Sequence, residues 1–352
     1  MSAHASSTAP RLVFSRSLGD QLAELFCIDE VSQTFVLTVD GIPQSRVSLG
    51  DPGALEFDYV RYIARVIDAW APAGHPLACV HLGAGALTVA RYVAVTRPAS
   101  VQCVVERESE LLEAVLRELP LPREAGGGAA GRPDVRFLYG DARTVAENAP
   151  ESSGWGTASA DVTVIDLWSG AVIAARVASL EFYRLVARRV SSDGVVAVNL
   201  LDGPGFAYTR GQVATLREVF AEVAVVLDER MLGNALLGNV VVLASNRPGA
   251  FTAARDWFAE GVGSAGASTD AAEGPGAEEP GAEGAGAEGP GAEGPGAEGV
   301  VARRTARVPH VIDDELQRWL GDAAVVTDTT ASDSPPPVES HFNEHRGRPF
   351  FA

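Results

Sequence analysis

The sequence has few cysteines and lacks long hydrophobic runs. Its 352 residues include three cysteines, far apart within apolar stretches. An odd number without a secretion leader argues against a disulfide framework. No run approaches the ~18 apolar residues of a membrane-spanning helix, and residues 1–10 lack the apolar core of a signal peptide. We therefore expect buried thiols, a cytoplasmic location and no membrane partner.

Positive charge is also scarce. The net charge is −18, and eight acidic residues with no Lys or Arg fall within residues 261–300. An acidic chain without a basic patch binds nucleic acid poorly, so we expect no nucleic-acid partner. The cysteines lack the spacing of metal ligands, and no metal site is expected. Residues 261–300 repeat a Gly-Ala-Glu-Gly-Pro theme that cannot bury enough apolar area, and a disordered linker is predicted there.

Strand-like and helix-like runs alternate from residue 77 onward. The strand-like runs are 77–82, 101–106, 135–139, 161–166, 194–200, 223–228 and 239–244, and the helix-like runs are 87–95, 108–119, 179–190, 210–221 and 251–259. This alternation predicts an α/β fold with a mostly parallel, seven-stranded sheet covered on both faces. The last two strands leave no room for a helix between them, so an antiparallel hairpin with a reversed last strand is expected at the sheet edge. The layout is that of the Rossmann-like class I methyltransferase fold rather than of a six-stranded dehydrogenase sheet.

A small antiparallel β-domain is predicted before this sheet, because residues 11–48 are rich in short β-branched and apolar runs. A helix is predicted over residues 54–70, with Tyr59 near one edge of its apolar face. The expected domains are a disordered N-terminus (1–10), an N-terminal β-domain (11–50), a Rossmann-like domain (51–260), a disordered linker (261–300) and a C-terminal tail with a short helix (301–352).

A glycine turn is the first candidate functional feature. An apolar run enters Gly83-Ala84-Gly85, a helix-compatible run leaves it, and the next strand ends at Glu106. Glycines let the backbone turn tightly and approach a ligand, and a carboxylate at Glu106 can bind a ribose diol. The pattern predicts a nucleotide-binding β-α-β unit.

Polar side chains follow the later strands in the same way. Asp141 lies at the end of the third strand, Asp166 at the end of the fourth and Asn199 at the end of the fifth. Each carboxylate has a structural alternative: Glu106 as a solvated strand end, Asp141 as a helix N-cap and Asp166 as part of a turn. Ligands bind at the carboxyl ends of strands in open α/β sheets, so the series favours a site. There, Asp141 can accept from an adenine amine and Asp166 can accept a proton from an amine nucleophile.

These residues, in this order, resemble the spermidine synthase-like family of polyamine aminopropyltransferases across residues 11–245. The matching segments are Asp20-Gln21, Val39–Gln44, Glu56–Tyr59, Gly83-Ala84-Gly85, Val105-Glu106, Gly140-Asp141-Ala142, Asp161–Asp166 and Glu181-Phe182-Tyr183. The short Val326-Thr327-Asp328 and Pro337-Val338-Glu339 segments are similar to the ending of fused family members.

The resemblance implies transfer of an aminopropyl group from decarboxylated S-adenosylmethionine to a small amine, in polyamine metabolism. It implies that Asp166 is the catalytic base and that Tyr59 and the position of Ser169 line the acceptor groove. The residues implied in cofactor binding are Gln21, Gln44, Gly83, Gly85, Glu106, Gly140, Asp141 and Ala142. The resemblance is also compatible with a homodimer.

Three positions depart from the family pattern. Ala86 and Ser169 stand where the family has aspartates for the aminopropyl end and the diamine, and Arg61 would place a cation near the groove. A lost charge-assisted hydrogen bond costs about 1.5–3 kcal/mol. Three functions therefore stay open: an aminopropyltransferase, a methyltransferase that uses S-adenosylmethionine itself, and a non-catalytic binding or scaffold protein.

Overall fold

The computed structural model describes residues 9–123, 131–168, 172–233, 236–259, 309–312 and 315–336. These residues belong to one compact unit. The segment 261–300 and residues 1–8 of the N-terminal segment, both predicted to be disordered, lie outside the described residues, as does Ser169.

The N-terminal part is a four-stranded antiparallel sheet, as predicted. Its strands are β1 (Arg11–Leu18), β2 (Gln21–Asp29), β3 (Thr34–Val39) and β4 (Ile42–Ser48), paired in that order. The buried face carries alternating apolar side chains such as Leu25, Leu37 and Val47, which form a cluster with Ala86 and Val115 of the main domain. The small sheet therefore packs directly on the segment that contains the glycine turn.

The main sheet alternates with helices along the chain. Its elements are α1 (Asp58–Trp70), β5 (Ala78–Leu82), α2 (Thr88–Thr96), β6 (Val101–Glu106), α3 (Ser109–Glu118), β7 (Asp134–Tyr139), α4 (Ala142–Asn148), β8 (Ala160–Ile165), α5 (Leu180–Ala187), β9 (Val190–Asp202), α6 (Ala207–Arg217), β10 (Glu222–Asp228), β11 (Gly238–Ser245), α7 (Ala254–Ala259), β12 (Pro309–Ile312) and α8 (Leu316–Leu320). The strand order is β12-β10-β11-β9-β8-β5-β6-β7.

The strand order reverses at β5, which pairs in parallel with β6 on one side and β8 on the other. A crevice forms at such a point because the connections leave in opposite directions, and ligands of open α/β sheets bind there. The glycine turn directly follows β5, so the topology places it in this crevice.

The predicted α/β fold is confirmed, with an addition at one edge. Strands β10 and β11 form the expected antiparallel hairpin, and β11 is also antiparallel to β9. The hairpin is not at the edge, however, because β12 pairs with β10 and makes the sheet eight-stranded rather than seven-stranded. The four-residue run of β12 is too short to be recognised from its pattern. Its Val311 and Ile312 are nevertheless buried.

Apolar clusters cover both faces of the sheet. One face packs against α1 through Ile63 and Ile67, while the other packs against α5 and α6 through side chains such as Phe182 and Val213. The three cysteines are free and buried, as expected. In the part of the chain that the structure describes, no helix is long and apolar enough to cross a membrane.

Candidate functional site

The glycine turn passes against the backbone of Asp166. Gly83 has φ +92°, and a Cβ added there would lie 2.2 Å from the carbonyl oxygen of Asp166. The Gly83 amide donates to the carbonyl of Val105 at 2.9 Å. Only glycine fits this approach, since a side chain would collide with backbone. The turn, the end of β6 and Asp166 are thereby brought together, as the sequence predicts.

The other side of the turn is held by the N-terminal sheet. Ser45 Oγ, from β4, accepts a hydrogen bond from the Ala86 amide at 3.0 Å. A Cβ on Gly85 would lie 2.5 Å from this oxygen. A side chain at this position would therefore displace the Ser45 hydroxyl, and the φ of +48° also favours glycine.

Ala86 differs from its expected place. Its side chain is 1% exposed and belongs to the apolar cluster between the small sheet and α3, with Leu25 and Val115. The expectation that this position faces the ligand as a lost carboxylate is therefore not what the structure shows. An aspartate on this backbone would be buried among apolar side chains, at a large desolvation cost.

Glu106 lies directly on the glycine turn. One carboxylate oxygen accepts the Ala84 amide at 2.9 Å, and the other accepts the Glu108 amide at 2.8 Å. These bonds fix the orientation of the carboxylate, and each oxygen has a further lone pair. Two oriented acceptors beside this glycine turn suit the paired hydroxyls of a ribose.

Asp141 is a helix N-cap, which the sequence analysis gave as the structural alternative to a ligand contact. Its Oδ1 accepts the Thr144 amide at 3.0 Å, which makes it the N-cap of α4, and Arg176 approaches the same oxygen at 3.2 Å. The preceding Gly140 has φ +146°, and Ala142 is buried in the first turn of the helix. Contact between this turn and an adenine stays a prediction.

Asp166 is the point where side chains from several elements meet. Its Oδ1 accepts hydrogen bonds from Trp168 Nε1 at 2.8 Å and from Asn199 Nδ2 at 2.7 Å. The hydroxyl of Tyr59, from α1, lies near enough to this carboxylate for the two groups to influence each other's pKa. Burial raises the pKa of Asp166 above its ordinary value, and its polar neighbours act in the opposite direction. Burial, with the nearby charge of Asp166, raises the pKa of Tyr59 well above its usual range.

Asn199 is itself oriented by a residue that the sequence analysis missed. Asn239 Nδ2, on β11, donates to Asn199 Oδ1 at 3.1 Å. Because the oxygen of Asn199 is occupied in this way, its NH2 group is turned towards Asp166. In the sequence, Asn239 could be noticed only as a single side-chain amide near the start of a mainly apolar strand.

The two glutamines expected at the cofactor site differ from each other. Gln21 donates to Asp40 at 3.2 Å, which joins the start of β2 to the turn between β3 and β4, so its side chain supports the N-terminal sheet. Gln44 lies closer to the site, because its carbonyl accepts from the Tyr59 hydroxyl at 3.5 Å. Its side-chain amide donates back to the carbonyl of Ile42 at 3.3 Å.

Arg61 does not present the uncompensated charge that the sequence suggests. It forms an ion pair with Asp58, one turn earlier in α1. The positive charge next to Tyr59 is therefore paired locally, which weakens one of the two departures that concern the acceptor groove. Among the described residues, no group of three His, Cys, Asp or Glu side chains is placed to hold a metal ion.

Comparison with known proteins gives matches among solved structures. No protein-family model and no curated protein matches the chain. A probable spermidine synthase from Corynebacterium glutamicum ATCC 13032 matches with a TM-score of 0.65 and 23% identity, over 89% of this chain and 95% of that one. The chain has a spermidine synthase-like fold.

Two further structures match less well. Spermidine synthase from Thermotoga maritima gives a TM-score of 0.47 at 16% identity, over 67% of this chain and 73% of that one. Human methyltransferase-like protein 13, in complex with SAH, gives 0.42 at 17% identity, over 54% and 83%. The match to the Corynebacterium glutamicum structure confirms, at the level of the fold, the resemblance inferred from the sequence.

Proposed function

We propose that the chain is a transferase that binds an adenosyl-sulfonium donor of the decarboxylated S-adenosylmethionine type and transfers its aminopropyl group to a small amine. The observation that carries the proposal is the position of Asp166. It lies in the crevice beside the glycine turn, with a raised pKa and hydrogen bonds from the neutral side chains of Trp168 and Asn199. A carboxylate held in this way is suited to accept a proton from an attacking amine.

The donor would lie along the glycine turn. Glu106 would bind the ribose hydroxyls beside the tight turn that Gly83 and Gly85 form. The capping role of Asp141 uses Oδ1, so we assign Oδ2 as the acceptor for an adenine amine. These residues fit an adenosyl group by their chemistry.

The donor, when bound, supplies an electrophilic carbon next to a sulfonium. The amine nitrogen forms a bond to that carbon while the carbon–sulfur bond breaks, and sulfur keeps the electron pair. Asp166 then accepts the proton lost from nitrogen. Trp168 and Asn199 both bind Oδ1, so Oδ2 is the oxygen that we assign to proton transfer.

Tyr59 and the backbone of Gln44 would form the acceptor side of the site. Their mutual contact joins α1 to β4, so both parts of the molecule contribute to this wall. The Arg61–Asp58 pair leaves no net charge there, and the negative charge of Asp166 favours a cationic amine.

A methyltransferase is the second candidate, because residues 83–86 are Gly-Ala-Gly-Ala and include no carboxylate. The turn therefore offers no acidic side chain to an aminopropyl ammonium, and none that would repel the carboxylate of S-adenosylmethionine itself. The two functions predict opposite preferences between methylthioadenosine and S-adenosylhomocysteine.

Thermal-shift measurements with both donors and both products test the proposal, followed by turnover assays with small diamines. We expect stabilisation by methylthioadenosine that is lost in Glu106→Ala and kept in Glu110→Ala, an exposed control on α3. Stronger stabilisation by S-adenosylhomocysteine, with methyl transfer, would support the second candidate. The absence of any nucleoside effect would contradict both and indicate a non-catalytic protein.

A further inference from the structure

Residues 326–334, here termed the strap, return to the main domain after α8 and connect distant parts of it. At the first end, the Leu180 amide donates to the Val326 carbonyl at 2.8 Å. The Val326 amide in turn donates to Thr215 Oγ1 at 2.8 Å. This end of the strap thus joins the start of α5 to α6.

Asp328 is the most strongly bound residue of the strap. Arg143 donates to its two oxygens at 2.6 and 2.5 Å, and Ser179 Oγ donates at 2.6 Å. The Asp328 amide donates to Glu181 at 2.8 Å. Two parallel bonds from one guanidinium fix direction as well as distance. The hydrogen bonds from Arg143 lower the pKa of Asp328 to about 2.

The far end of the strap is joined to the chain that follows Asp166. The Ile173 amide donates to Ser334 Oγ at 2.8 Å, and the Ser334 amide donates to the Ile173 carbonyl at 2.9 Å. Asp333 accepts the Ala175 amide at 2.8 Å. Ser334 is buried, so these bonds are shielded from water. The segment 173–181 is therefore attached to the strap at both ends.

Both attachment points are close to the candidate site along the chain. Ile173 follows Asp166 by seven residues, and Arg143 follows Asp141 by two. Arg143 also donates to the carbonyl of Arg176 at 3.1 Å, and Arg176 pairs with Asp141. A single short segment thus contacts both the helix that Asp141 begins and the segment that leaves Asp166.

We propose that the surface formed by Arg143, Ser179, Glu181 and Ile173 is a docking site for this chain's own strap, and that docking positions Asp166 and Trp168 for the site to work. Asp328 and Arg143 are then positioning residues, which act through the segment 173–181. The contacts stand independently of the reaction, and only the interpretation of turnover rests on the proposed function.

Charge reversal in the full chain tests the proposal. In Asp328→Arg, two positive charges face each other and the strap should leave its surface. We expect amide hydrogen exchange of residues 172–181 to become at least about tenfold faster, while exchange in β5 and β8 is unchanged. The double variant Asp328→Arg/Arg143→Asp should recover slow exchange in part. Glu315→Arg, which breaks an exposed pair on α8, is the matched control and should have no effect.

The emission of Trp168, taken as the difference from Trp168→Phe, reports the surroundings of Asp166 without any turnover. We expect it to change in Asp328→Arg and to recover in the double variant. If amide exchange of residues 172–181 is unchanged in Asp328→Arg, the strap does not dock as proposed. If exchange becomes faster but the emission of Trp168 is unchanged, docking does not position Asp166 and Trp168. If Asp328→Arg unfolds, the milder Asp328→Asn must show the same two changes or the proposal fails. Absence of turnover in the unaltered chain would contradict the proposed function alone.

Discussion

Asp141 and Asp166 follow two parallel strands, β7 and β8, whose carboxyl ends lie at the same edge of the sheet, yet their surroundings differ. Asp141 caps a helix through Oδ1 and pairs with Arg176. Asp166 accepts from neutral donors on β9 and in its own loop, and burial raises its pKa. Burial disfavours the charged form of a carboxyl, so Asp166 is the one of the two that is suited to take up a proton. The partners of a carboxylate, rather than its place at a strand end, therefore decide its chemistry.

Replacement of each aspartate by asparagine gives the largest expected contrast. Asp166→Asn keeps the shape but removes the proton acceptor, so kcat should fall by about 10²–10⁴-fold. Asp141→Asn keeps the cap, because asparagine caps helices as well as aspartate does, and kcat should fall far less. Steady-state rates of the two variants test this, with Asp134→Asn, at the exposed start of β7, as the control. Equal losses in the two variants would contradict the assignment of the base.

Asn199→Asp should shift the pH dependence. The pKa of Asp166 is already raised, so activity should increase as the pH rises through a value above about 3.9, the ordinary value for Asp. A second carboxylate in place of the donor at 2.7 Å raises that pKa further, and the acid limb of kcat/KM should move to higher pH. A carboxyl with a raised folded pKa loses stability as pH rises through it. The variant should therefore be relatively more stable at pH 5 than at pH 8. An unmoved acid limb would show that Asp166 is not the titrating group.

Asn239→Leu should have a smaller effect on the same profile. It leaves Asn199 in place but removes the donor that orients it at 3.1 Å, so Asn199 can turn its oxygen towards Asp166. We expect a several-fold fall in kcat, with the KM of the donor unchanged. Asn239→Gln, which keeps an amide, should recover part of the rate. A loss confined to stability, with normal kcat, would mean that the Asn239–Asn199 bond is only structural.

The sheet and much of the site could be predicted from the sequence because local patterns specify them. Alternating apolar runs give a parallel sheet, and the reversal at β5 places the glycine turn beside Glu106 and Asp166. What was missed depends on contacts between distant residues. Ala86 becomes a core residue only because β4 packs over it, and β12 forms only by pairing with β10.

The strap was missed for the same reason. From the sequence it was part of a C-terminal tail, and the bond between Asp328 and Arg143 joins residues 185 positions apart. No periodicity or spacing marks such a pair. Asp141 was ambiguous in a different way, because one residue type serves both a helix cap and a ligand contact.

Asp141→Ala gives the smallest effect and tests the remaining side of the comparison. Loss of an N-cap costs about 1 kcal/mol of stability, and the exposed pair with Arg176 adds little. Urea unfolding should show this decrease, while kcat at saturating donor stays near that of the unaltered chain. If Asp141 Oδ2 also accepts from an adenine, the affinity for methylthioadenosine should fall in Asp141→Ala but not in Thr144→Ala, which alters the same helical turn. Equal affinities for methylthioadenosine in the two variants would mean that Asp141 acts only as a helix cap. Glu106 would then be the carboxylate that binds the nucleoside.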